Sequence, residues 1–130
     1  MRSDRALAVP LLCFLGASLA DGPDGFWSIE LQQGPNSLNA VDALHGGVIA
    51  TVLDVAAYLA VLPQLSATEE AVTIAFSASY LAAAGADQPL RATGSFIRRT
   101  RHLAFATAEL SSEGQPLALA TVTKAIRSSA

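Results

Sequence analysis

LHGGVIATVLDVAAYLAVLPQL, residues 44–65, carries one charged side chain, Asp54, inside an otherwise apolar run. Gly46 and Gly47 lead into the run and Pro63 ends it, so the spacing predicts one helix over about 46–62. That helix is apolar around most of its circumference, as expected of a helix enclosed by other elements rather than lying on a surface. A carboxylate withdrawn from water without a partner costs several kcal/mol or changes its own protonation. Asp54 therefore sits on a wet face or is kept for chemistry.

Working outward, GPDG at 22–25 is turn chemistry, and FWSIELQQ after it alternates large apolar with polar residues, which predicts a first strand over about 25–33. GPNSLNAVDAL is a polar loop into the helix. Beyond residue 70 the period changes from 3.6 to 2: Val72, Ile74, Phe76, Ala78 and Tyr80 alternate with Thr73, Ala75, Ser77 and Ser79, a strand over about 71–82. AGADQ breaks it. LRATGSFIRR, HLAFATAELS and PLALATVTKAI follow as three more strands, parted by turns at Thr100-Arg101 and Ser112-Glu113-Gly114-Gln115. The expected order is a strand, a long central helix, then four strands in an antiparallel meander. A five-stranded antiparallel sheet covers one long apolar helix only by curling around it, leaving one side of the helix toward a neighbouring subunit. This α+β arrangement, over a single domain 1–130, is similar to the hot-dog fold.

The chain has 130 residues, enough for one core. It is 52% hydrophobic and only 15% charged, more apolar than a small monomer needs, so some apolar surface is expected between subunits. A net charge of −3 with no block of like charges excludes a nucleic-acid footprint. Cys13 is the lone cysteine, and no Cys/His cluster has metal spacing; a reducing, cytoplasmic compartment and no structural metal are expected. MRSDRALAVPLLCFLGASLADG has the arginines, short apolar part and small-residue end of a signal peptide, but Asp4 and Pro10 count against that reading. The same stretch reads as a short amphipathic helix packed on the core. No membrane span is expected, because Pro10, Gly16 and Asp21 interrupt the first apolar candidate, and Asp54 and Pro63 the second.

Asn39, LHGG at 44–47, Asp54 nine positions after His45, Thr73 and Tyr80 in AVTIAFSASYL, and FIRRTRHLAFATAEL at 96–110 form a set. As a set they resemble the hot-dog thioesterases of the phenylacetate-pathway (PaaI-like) type, which hydrolyse acyl-CoA thioesters. The likeness runs from about residue 14 to 126. It implies that Asp54 attacks the thioester carbonyl or activates the water that does. It also implies that Asn39 orients the water or the carbonyl, that Thr73 brings a hydroxyl near the attacking water, and that His45 fixes the loop and contacts the thioester region. Coenzyme A enters as part of the substrate, and no metal or other cofactor is required.

The residue types suit these roles, and each has a plainer reading. Backbone N–H groups opening a helix have no intrahelical acceptor and face a positive dipole end, so Gly46 and Gly47 can hold a carbonyl that becomes an oxyanion; HGG is also an ordinary loop-to-helix junction. Gly47, Thr51, Asp54 and Tyr58 fall at three- and four-residue spacings, a narrow polar stripe that borders a cleft or faces solvent. Asn39 could equally satisfy a local turn, and Thr73 could be plain sheet surface. Arg98, Arg99 and Arg101, beside His102, are the only dense basic cluster. They suit coenzyme A phosphates, or a solvated hairpin tip protected against edge pairing. Tyr58, with Val48, Leu53, Tyr80 and Phe96, is a candidate for lining an acyl pocket.

Gly46 and Asp54 are eight residues apart on one helix, about 12 Å at 1.5 Å per residue, so one thioester carbonyl cannot touch both. Two helices antiparallel across a twofold axis bring the glycine end of one beside the aspartate of the other. The resemblance implies such a homodimer with shared active sites, and further pairing into a homotetramer. Two rivals stand beside hydrolysis: a hot-dog enoyl-CoA hydratase or dehydratase with His45 as base, and a non-catalytic acyl-CoA-binding protein. The absence of a proline-rich stretch after the histidine favours hydrolysis. Ala82-Ala83-Ala84 and Thr100 depart from the proline and glycine common among relatives, at loops near the substrate or coenzyme entrance, so the acyl group is left open.

Overall fold

The structure, a computed structural model describing residues 2–21, 27–85 and 87–128, begins with two short helices, α1 (Arg2–Ala8) and α2 (Pro10–Leu15). Leu7, Leu12 and Leu15 are buried, and Gly16, at φ 74°, closes α2 in the left-handed conformation by donating its N–H to the Cys13 carbonyl at 3.1 Å. The amphipathic segment expected here thus packs on the core. The next residues depart from expectation: β1 (Ala17–Asp21) is a strand, paired antiparallel with β2 (Trp27–Leu31) from Ala17↔Leu31 to Asp21↔Trp27. Ala-Ser-Leu-Ala-Asp has little strand preference of its own, and the pairing edge of β2 supplies it. The sheet is therefore six-stranded rather than five-stranded. The turn read at 22–25 and Phe26 lie outside the described residues.

The central helix is α3 (Gly46–Val61), continued by a 3-10 turn, Leu62–Gln64. Together they are long and apolar enough to cross a membrane by length and composition, although Asp54 and Pro63 interrupt the run. In this fold the sheet takes the apolar surface instead: Val48, Ile49, Val52, Leu53, Leu59 and Val61 are all buried. Each such side chain contributes roughly 1.5–3 kcal/mol when removed from water.

The other strands are β3 (Glu69–Tyr80), β4 (Leu90–Arg99), β5 (Leu103–Ser112) and β6 (Gln115–Ser128). Their order in the sheet is β1-β2-β4-β5-β6-β3, every neighbouring pair antiparallel. β4, β5 and β6 form a meander, and Glu113 (φ 51°) with Gly114 (φ 80°) makes the two-residue turn between the last two. β3 does not join that meander as a neighbour of β4. The long connection 81–89 carries the chain away from a hairpin, and β3 pairs with β6 at the far edge.

The inner face of the sheet is lined by small residues, Ala92, Ala104, Ala106, Ala108, Ala118 and Ala120, all buried. They let α3 lie close to the strands. At Gly94 the approach is tightest: a Cβ there would collide with the Ala56 carbonyl and lie 3.0 Å from Ala60 Cβ.

The apolar alternation read in β3 does not lie on one face. A bulge between Thr73 and Ala75 inserts Ile74 and reverses the facing. Ala71 and Thr73 face the helix side before it, Phe76 and Ala78 pack toward the core after it, and Val72 and Ile74 are left 40% and 59% exposed.

Candidate active site

His45 caps α3 in an extended conformation (φ −68°, ψ 131°), its Nδ1 accepting the Gly47 N–H at 2.8 Å while its own N–H donates to the buried Ser37 carbonyl at 2.7 Å. Val48 and Ile49 donate back to the His45 carbonyl. Of the first N–H groups of the helix, that of Gly46 makes no hydrogen bond among the described residues. The two glycines differ sterically. A Cβ at Gly47 would press on the His45 ring at 3.1 Å, so a side chain there would push the capping imidazole aside by a few tenths of an ångström; one at Gly46 would meet only Tyr80 at 4.0 Å, an ordinary contact. Tyr80, 54% exposed, donates its hydroxyl to the Gly46 carbonyl at 3.2 Å.

Two turns along α3, the Asp54 side chain is 37% exposed, and the Thr73 hydroxyl donates to its Oδ1 at 2.6 Å. Thr73 stands opposite Lys124 in the β3–β6 register, just before the bulge. Lys124 is 3% exposed; its Nζ donates to Thr73 Oγ1 at 2.7 Å, to Asp54 Oδ1 at 3.2 Å and to the Asp54 carbonyl at 3.4 Å. The ammonium lies 5.5 Å from the centre of the Tyr58 ring. Burial pushes the Lys124 ammonium below the usual lysine range, and the charge and hydrogen bond of Asp54 oppose that shift. Tyr58 OH donates to Glu70 Oε2 at 3.5 Å; burial and then the negative Glu70 push this phenol up. Asp54 Oδ2 makes no hydrogen bond among the described residues.

The other expected residues fall elsewhere. Asn39 Oδ1 accepts the N–H groups of Val41 and Ala43 at 2.9 and 3.0 Å, so its carbonyl oxygen serves the local turn. Arg99 grips Glu69 through two bonds of 3.0 Å and reaches the Gln64 carbonyl at 2.7 Å, joining β4 to the start of β3 and holding the Glu69 carboxyl at about 2. Arg98 and Arg101 are exposed and make no side-chain hydrogen bond among the described residues. Leu53 is fully buried and Val48 nearly so, whereas Tyr58 and Phe96 are half-buried. A concavity of about 820 Å³ on the outer face of the sheet, lined by Ser77, Thr93, Thr107 and Thr121, includes none of these candidates.

Comparison with known proteins decides the family. The Thioesterase superfamily profile matches residues 42–119, which span the helix cap, Asp54, Thr73 and the basic cluster. This chain belongs to the Thioesterase superfamily. No curated protein matches it. Among solved structures, a Bacillus halodurans protein crystallised with CoA superposes with a TM-score of 0.87 at 25% identity, over 99% of this chain and 85% of the other. A phenylacetic acid degradation-related protein of Ralstonia eutropha JMP134 gives 0.81 at 26%, over 95% and 98%. A variant of the phenylacetic acid degradation protein PaaI from Thermus thermophilus gives 0.80 at 24%, over 89% and 97%. The protein is a thioester hydrolase with the hot-dog fold, of the PaaI-like type.

In this thioesterase the residue that sequence reasoning passed over is Lys124. Its signal was present: Ala118, Ala120, Val122, Lys124 and Ile126 alternate along β6, which sends the lysine to the apolar face. What the pattern lacked was the partner, since Asp54 is 70 residues away.

Proposed function

We propose that this thioesterase hydrolyses acyl-CoA, with Asp54 as the reacting carboxylate and the Gly46 N–H of the partner subunit as oxyanion donor. Water adds across the C–S bond, releasing the free acid and the CoA thiol, either through attack of Asp54 on the carbonyl or through water that Asp54 deprotonates. The observation that carries the reading is that, among the described residues, neither Asp54 Oδ2 nor the Gly46 N–H makes a hydrogen bond, and both belong to one helix. At about 12 Å apart they meet only between two copies.

Two further observations support the assembly. β3 is a twelve-residue edge strand with Val72 and Ile74 exposed, the kind of edge a second chain covers. Gly47, Thr51, Asp54 and Tyr58 form the part of α3 that the sheet leaves open. A twofold pairing along this side sets the helices antiparallel and creates two equivalent sites; dimers then pair into a tetramer. Thr73 would stand beside the reactants, Asn39 would offer them only its amide nitrogen because the turn holds its oxygen, His45 would lie beside the thioester and Tyr58 at the cleft, and Arg98 and Arg101, without a side-chain hydrogen bond among the described residues, would face the coenzyme phosphates. CoA in the Bacillus halodurans relative supports this choice of thiol carrier. The His45 cap favours hydrolysis over hydration. Nδ1 is occupied by the Gly47 N–H, so the neutral ring carries its proton on Nε2 and acts as a donor rather than a base.

The test is thiol release from phenylacetyl-CoA, butyryl-CoA and palmitoyl-CoA, followed by subunit mixing. Asp54→Asn and Gly46→Pro should each be inactive as homodimers. Refolded together in equal amounts, half of the dimers are mixed, and each holds one intact site, so about a quarter of wild-type activity returns. Full activity of Asp54→Asn sinks the mechanism, and failure of the mixture to recover sinks the shared site.

A further inference from the structure

Lys124 is the one charged side chain among the buried described residues, and no step above uses it. Such a group is costly. Withdrawing an ammonium from water is repaid only by good geometry, and replacing a buried ion pair with apolar residues is often neutral or stabilising. Here the partner is not even buried, since Asp54 keeps 37% of its side chain in solvent. Stability alone is therefore a poor reason for a lysine at this point of the core.

We propose that Lys124 is a positioning residue for the reaction at Asp54: it pins Oδ1, turns the Thr73 proton onto that same oxygen, and so leaves Oδ2 as the single reactive atom. This rests on the reading of Asp54 as the reacting carboxylate. An ammonium only donates hydrogen bonds. With Nζ 2.7 Å from Thr73 Oγ1, the threonine oxygen is an acceptor there, and its one proton points to Asp54 Oδ1 at 2.6 Å. Nζ donates to the same Oδ1 at 3.2 Å and to the Asp54 carbonyl at 3.4 Å. Two contacts from two strands thus hold Oδ1 of a carboxylate whose terminal torsion is otherwise broad, and the third ties the same lysine to the Asp54 backbone. Without Lys124 the threonine proton can turn away, and the carboxylate can exchange its two oxygens.

The groups facing Nζ are Asp54 and Tyr58 from α3 and Thr73 from β3, with Glu70 behind Tyr58 and Arg2 3.7 Å from Glu70. Ala104, its neighbour on β5, brings no charge. Burial lowers the lysine below its ordinary 10.5. The ammonium is therefore lost, as pH rises, earlier than in a free lysine. Turnover falls on that alkaline side. An arginine at 124 keeps its charge throughout and removes the fall.

The experiment compares the full-length wild type with Lys124→Met and Lys124→Arg, using phenylacetyl-CoA for thiol release from pH 6 to 10.5 and thermal melting for stability. Lys124→Met should lower kcat about 100-fold with KM changed less than about threefold, as for a misplaced reacting group. It should still fold, because the exposed Asp54 takes up water when its partner is gone. Lys124→Arg should recover at least about tenfold of the loss and show no alkaline fall in the range where wild type declines. The proposal is overturned if Lys124→Met keeps kcat within about threefold, or if both variants lose turnover and melting temperature together. Loss of the fold in both assigns the lysine to stability and overturns it as well. Asp54→Asn separates the two ideas: if it is inactive while Lys124→Met is active, only the role of Lys124 falls, and if Asp54→Asn is active, the reading of Asp54 falls first.

Discussion

Replacing Gly46 by proline removes one hydrogen atom that the fold does not use and the proposed chemistry does. The Gly46 N–H has no acceptor among the described residues, and proline is favoured at the first helical position because its missing donor is one of those orphans. The preceding residue must be extended to accommodate the ring, and His45 is, at φ −68° and ψ 131°. A Cβ at 46 meets nothing nearer than Tyr80 at 4.0 Å. Stability should therefore hold or rise by about 0.4–1 kcal/mol, the usual gain from a compatible proline. For 130 residues the unfolding entropy is roughly 270 cal/mol/K, so 1 kcal/mol moves Tm by about 4 °C, and the expected shift is between 0 and about +4 °C. Turnover should behave oppositely. Removing one oxyanion donor costs about 100- to 1,000-fold in kcat, or roughly 3–4 kcal/mol. Gly46→Ala, which keeps the N–H, is the control and should be at least about tenfold more active than the proline variant. Thermal melting and thiol release on the three proteins decide the matter. A proline variant with wild-type kcat, or one that melts more than about 5 °C lower, refutes the reasoning.

Three other outcomes are expected. Thr73→Val removes the hydroxyl between Asp54 and Lys124 at an exposed strand position, so Tm should fall by about 8 °C, two net hydrogen bonds of about 1 kcal/mol each, while kcat drops at least about tenfold; Thr73→Ser should restore both. Gly94→Ala forces a methyl into the Ala56 carbonyl and parts α3 from β4, which should cost about 3 kcal/mol and lower Tm by about 12 °C; a change under about 2 °C would contradict the close packing. Glu69, held at about 2 by Arg99 against an ordinary 4.5, has a depressed folded-state value, so its contribution is present above pH 4.5 and is lost as pH falls toward 2. Arg99→Met should flatten the drop in Tm across that window, and high salt should flatten it in the wild type; identical pH profiles for the two proteins would argue against the pair.

Much of the fold was legible because its largest signals are local. The run from Gly46 to Pro63 has helix punctuation at both ends, and the strands after residue 70 alternate in period 2 between recognisable turns. β1 was not legible, because Ala17–Asp21 has no strand preference and becomes a strand only against β2. Nor was the facing of β3, where the inserted Ile74 flips an apolar alternation that reads as continuous. The sheet order escaped for a related reason, since which edge β3 joins depends on a nonlocal pairing with β6.

The candidate site divides along the same line. The chain alone determined which residues could carry the chemistry: a glycine pair opening an apolar helix, one carboxylate within that helix, a threonine on the strand after it, and a spacing of eight that keeps glycine and acid apart. Tertiary structure decided what each is free to do. It engages the Asn39 oxygen in a turn and Arg99 with Glu69, leaves the Gly46 N–H and Asp54 Oδ2 open, and brings Lys124 beneath Asp54 from 70 residues away. The reason is physical: helix and strand periods are written in neighbouring residues, whereas hydrogen-bond satisfaction and burial of charge are settled only when distant segments meet.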